Sequence, residues 1–65
     1  EEIERLQRAL SMLPPIYRSV VTRVDLEERP VGEVAAELER SKGAVHMLRV
    51  RAHERLRELL AEIAD

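Results

Sequence analysis

Between Pro30 and Leu60 the apolar residues run at helical intervals, break for a short turn, and resume in a longer register. No other feature limits the fold as tightly. Val31, Val34, Ala35 and Leu38 stand at i, i+3, i+4 and i+7, which predicts a short helix over 31–38. Pro30 suits its start, because proline has no N–H to leave unpaired there. Glu39-Arg40-Ser41 is a turn short enough to force a steep crossing, and Ala35 is small enough to let the next helix approach closely. Ser41 is a good N-cap, since its hydroxyl accepts from a free N–H of the first turn. With Ala44 three residues on, there is no capping box. From Val45 onward, Leu48, Ala52, Leu56, Leu59 and Ile63 follow at steps of three and four. A helix over 42–63 is about 33 Å long. The pair, at about 30–60, reads as a helix-turn-helix, the arrangement whose second helix enters the DNA major groove.

At about 100° per residue, the face opposite the apolar stripe carries Gly43, His46, Met47, Val50, Glu54 and Arg57, with Arg51 at its edge. Lys42, Arg49 and His53 line one flank and Arg55 the other. Met47 and Val50 are apolar where a solvated helix carries polar side chains. The net charge of −2 speaks, taken whole, against a polyanionic partner. Its distribution does not. Residues 1–39 hold nine acids and five bases, residues 40–57 one acid and six bases, and residues 58–65 three acids and no base. A local excess of this kind is the footprint of an anionic partner. The plainer reading is a solvated face whose bases pair with nearby acids, as Arg51 or Arg55 with Glu58.

A chain of 65 residues is at most one small domain. It buries only roughly 60% of its unfolded surface, so its stability is thin. Tyr17 is the single aromatic, which leaves Leu, Val, Ile and Ala to form the core. Without cysteine there is neither a disulfide nor a thiolate metal site. No apolar run approaches the ~20 residues of a membrane span, and no signal peptide is visible. The start, at a charged helical repeat without Met, reads as a fragment of a longer intracellular, cytoplasmic protein.

Upstream, Glu1 to Leu13 is expected to be helical, with Ile3, Leu6, Leu10 and Leu13 inward and Glu1, Glu2 and Glu4 at the favourable N-terminal end. Pro14-Pro15 stops that helix and starts the next. The second runs from Pro15 to about Leu26, with Ile16, Val20, Val21 and Val24 inward. Its β-branched content lowers its intrinsic propensity, so packing must hold it. Asp25 to Arg29 reads as a charged connector. The expected fold is all-α, four helices with a C-terminal helix-turn-helix and no strand.

No catalytic constellation is present, and the expectation is a chain that is not an enzyme and needs no cofactor. His46 and His53 lie seven residues apart, about 10 Å along a helix, too far to share one metal by themselves. Each reads as a solvated side chain or a phosphate or base contact. Ser19 and Ser41 have no activating neighbour, and the two glycines make no phosphate loop. DNA binding, in contrast, has a mechanism. A helix N-terminus at Ser41, Lys42 and Gly43 offers free N–H groups and a positive dipole end to phosphate. Gly43 leaves room for close backbone approach, Arg51 suits guanine, and Met47 and Val50 suit thymine methyls. Met47 and Val50 equally suit a protein partner.

The chain resembles region 4 of bacterial sigma factors, most closely the extracytoplasmic-function group. The resemblance rests on Leu13-Pro14-Pro15 with Arg18 beyond it, Glu33-Val34-Ala35, Ser41-x-Gly43-x-Val45, Arg51-Ala52 and Leu56-Arg57, in order and register over roughly residues 10–60. It implies recognition of the promoter −35 element by the second helix of the pair, and base-facing roles for His46, Met47, Val50 and Arg51. It also implies docking on the flap of the RNA polymerase β subunit, and control by an anti-sigma protein. The chain departs from the family at several places. His46 and Met47 replace a basic and a small polar residue, and Leu48 and Arg49 exchange a common Arg and Leu. Glu39 stands at the usual turn glycine, Pro30 at the usual Ser or Thr cap, and Val24 at a phosphate-touching Arg. The promoter sequence is therefore this chain's own. The rival readings are a response-regulator type of helix-turn-helix, and a protein-interaction module without independent DNA binding. Nothing demands more than a monomer.

Overall fold

The computed structural model describes residues 2–63. Glu1, expected in the first helical turn, lies outside them. Helix α1 is Glu2–Ser11, with Glu2 and Glu4 at its positive end. Pro14 disfavours helix in the residue before it, and the chain breaks there. Arg18, from the next helix, donates to the free Ser11 carbonyl at 3.2 Å, giving that orphan acceptor a partner. Ala9 and Leu13 are buried on this side of the core, and Leu10 packs against them. Ile3, expected to face inward, is 71% exposed. Among the described residues α1 gives the core cluster Ala9 and Leu10, about two turns beyond Ile3.

Helix α2 is Pro15–Val20, and from Val21 to Leu26 the chain continues in π-helical form. The helix expected to run to about Leu26 does end there, but its second half is π-helical and not α-helical. The Glu27 N–H reaches back five residues to the Thr22 carbonyl at 2.9 Å. The β-branched run Val20-Val21-Thr22 holds the α form weakly, so packing sets the backbone. Packing is heavy here: Val20 and Val21 are both buried, each in a different apolar cluster. Asp25, expected in a charged connector, belongs to this π segment.

The true connector is short. Glu28 takes a left-handed conformation at φ 55°. Arg29 then bonds Glu33, its Nε 2.9 Å from Oε1, and also Glu37, while Arg23 lies 3.8 Å from Glu37. This ladder ties the connector and the π segment to α3. The Arg29 hydrogen bond, outweighing burial, holds the Glu37 carboxyl below its ordinary pKa.

Helix α3 is Val31–Leu38, beginning after Pro30 as expected. It closes in a left-handed residue, Glu39, at φ 57° and ψ 45°. The Glu39 N–H donates to Ala36 O at 3.2 Å and the Arg40 N–H to Ala35 O at 2.9 Å, the paired bonds of a Schellman closure. Helix α4 is Lys42–Ile63, capped by Ser41, whose Oγ accepts the Ala44 N–H at 3.0 Å.

Two apolar clusters make the core. Ala9, Leu13, Val21, Ala52 and Leu59 form the first, with Tyr17, Leu56 and Ile63 against it. Val20, Val34, Ala35 and Val45 form the second, with Val24, Val31, Leu38 and Leu48 around it. Helix α4 enters both, and runs most of the 38 Å length of the molecule. Among the described residues there is no strand.

Candidate nucleic-acid interface

The inward stripe of α4 fixes what its other side presents. Val45 and Ala52 are fully buried and Leu48 packs against the second cluster. The opposite face is therefore open. Ser41, Lys42, Gly43, His46, Met47, Val50 and Arg51 are all exposed, as the periodicity predicts. They line the first three turns of α4, beginning at its capped N-terminus. Met47 is 46% exposed and Val50 39%, two apolar side chains on a face otherwise polar.

Gly43 has no internal reason to be glycine. A Cβ there would come no nearer than 3.9 Å to Ser41 Oγ. Gly32 of α3 is different: a Cβ there would sit 3.1 Å from Lys42 Cε, so its absence lets the Lys42 stem lie across the start of α3. The basic residue nearest the N-terminus of α4 thus rests on both helices of the motif.

The flank of α4 next to this face holds a feature the sequence reading missed. Asp25 Oδ1 accepts from Arg49 Nε at 2.8 Å and from Arg49 Nη2 at 2.6 Å. Its Oδ2 lies 2.6 Å from His53 Nε2, so that nitrogen donates in the matching tautomer. Burial raises the Asp25 pKa, but the hydrogen bonds from Arg49 and His53, with their charges, outweigh it and hold the carboxyl below its ordinary value. His53, read from sequence as solvated or as a phosphate or base contact, is bonded within the fold to Asp25 and stays partly open to solvent. The exchange of Arg and Leu at 48 and 49 now has a structural consequence. Leu48 enters the core and Arg49 faces the π segment. Arg55 pairs with Glu58 at 3.1 Å, one of the two pairings expected. Among the described residues no group of three or more His, Cys, Asp or Glu is placed to hold a metal.

A capped helix packed on a shorter one, with an open basic and apolar face at its N-terminal half, defines a helix-turn-helix DNA-binding domain. The family model described as sigma-70, region 4, matches residues 3–56. The chain belongs to that family: it is a sigma-factor region 4 domain, a DNA-binding element of transcription initiation with a role at the promoter −35 element. Region 4 is not a catalytic fold. Among the described residues no helix is long and apolar enough to cross a membrane. Comparison with curated proteins and with solved structures found no match.

Proposed function

We propose that this domain reads the −35 element by laying α4 in the major groove, N-terminal half first. The observation that carries this reading is the open face of α4. His46, Met47, Val50 and Arg51 project together from the helix side opposite the buried Val45 and Ala52. Arg51 is the bidentate guanine reader, and Met47 and Val50 meet thymine methyls. Ser41, Lys42 and Gly43 place the helix N-terminus and a cation against a backbone phosphate. The whole 1–65 chain acts as one such domain of a longer cytoplasmic sigma factor of the extracytoplasmic-function group. It works as a monomer, docked on the β flap of RNA polymerase and held in check by an anti-sigma protein.

A second reading uses the same two apolar side chains as the centre of a protein interface, with no independent DNA binding. One experiment separates them: a salt-dependent titration of the chain against a randomised pool of short duplexes. DNA recognition requires enrichment of one short motif, an affinity that falls steeply with salt, and a loss of about 1–3 kcal/mol for Arg51→Ala at one base position. No enrichment at low salt moves the interface to protein.

A further inference from the structure

We propose that Arg49 and His53 are a second DNA-phosphate contact on α4, and that Asp25 occupies it in the free domain as an internal stand-in for the phosphate. The proposal rests on the promoter-reading role of α4.

The chemistry of the cluster is that of an anion site already filled. A guanidinium presents two N–H groups to one carboxylate oxygen, and an imidazole N–H meets the other, at 2.6–2.8 Å. A phosphodiester oxygen pair asks for the same donors. The placement fits as well. Arg49 and His53 share one flank of α4 with Lys42, beside the face that carries His46 and Val50. On a helix lying in the major groove, flank residues are the ones that reach the sugar–phosphate backbone. The two donors remain open to solvent, with side chains 39% and 41% exposed, while the Asp25 side chain is 21% exposed. The anion is thus the covered partner, and the donors are the accessible ones.

The clasp also stands alone. Among the described residues it is the one side-chain hydrogen-bonded link between α4 and another element. It depends on the π segment, which carries Asp25 into reach across 24 and 28 residues of sequence. In the free domain Asp25 cancels positive charge on the DNA-facing side of a chain whose net charge is already −2. Releasing Arg49 and His53 to phosphate would exchange one anion for another and add backbone contacts only when DNA is present.

The test is the salt dependence of duplex binding by the whole chain and three variants. Asp25→Asn removes the charge and keeps the shape. It is expected to bind more tightly at low salt, because no internal anion then competes with phosphate for Arg49 and His53. Arg49→Gln in the otherwise native chain is expected to lower the log–log slope by about 0.9, the share of one phosphate contact, which is about a 3-fold smaller affinity loss between 50 and 200 mM salt. In the Asp25→Asn background it is expected to remove the Arg49 share of the gain. An Asp25→Asn variant that folds and binds no better than the parent overturns the proposal. So does an unchanged slope in Arg49→Gln, which would leave Arg49 off the DNA. That second result decides the matter if Asp25→Asn fails to fold. If neither the parent nor Asp25→Asn binds any duplex at low salt, the promoter reading falls with it. If the parent binds and only the gain is missing, the stand-in alone falls.

Discussion

Glu39 is the residue under most backbone strain in the motif. It closes α3 at φ 57° and ψ 45°, where the Cβ of an L-residue crowds the following carbonyl at a cost of about 1–2 kcal/mol. Glycine has no such cost, and the surrounding Schellman bonds use only backbone atoms. Glu39→Gly is therefore expected to stabilise the domain by about 1 kcal/mol. The check is the urea midpoint, which should rise at constant slope; an unmoved midpoint would mean that the side chain gives back in contacts what it costs in strain. The left-handed turn was hidden by its residue, since a glutamate gives no sign of positive φ. Other single residues were plain. Pro30 and Ser41 marked their helix boundaries because each has a chemical reason to sit at an N-terminus. Ala9 was missed because alanine is as common on a surface as in a core, and Ile3 was misplaced because periodicity does not say where a partner helix ends. Asp25 had no local signal at all: its partners lie on another helix, and only the fold brings them near.

At the scale of elements, α3 and α4 follow their apolar spacing and their caps to the residue. Strong periodicity and short-range capping settled both. The π segment was not legible, because Val20, Val21 and Thr22 lower the α preference without naming what replaces it. Helix α4 also allows stability and recognition to be separated at one position. Gly43 sits in its first turn, where an added Cβ would meet only Ser41 Oγ, at an ordinary 3.9 Å. Gly43→Ala is expected to stabilise the helix by about 0.5–1 kcal/mol and to weaken duplex binding, because the methyl stands between backbone and phosphate. Thermal melting and a duplex titration of the same variant read the two effects. A more stable variant with parental affinity would take Gly43 out of the interface.

At the scale of the molecule, the two apolar clusters have no separate existence. Val20 and Val21 are neighbours in sequence and belong one to each, and α4 contributes Val45 to the second and Ala52 and Leu59 to the first. Losing either cluster releases α4 from the other, so the domain is expected to unfold in one cooperative step. Tyr17 is the only aromatic residue and it packs on the first cluster alone. Its emission therefore watches one half of the core, while the far-ultraviolet helix signal watches both. Melting curves from the two should coincide, and a separation between them would show the halves coming apart. The same arrangement makes Tyr17 a built-in bystander. The turns of α4 proposed to read DNA begin at the other cluster, so a change in tyrosine emission on adding DNA would report that binding at one end of a single rod is felt at the other.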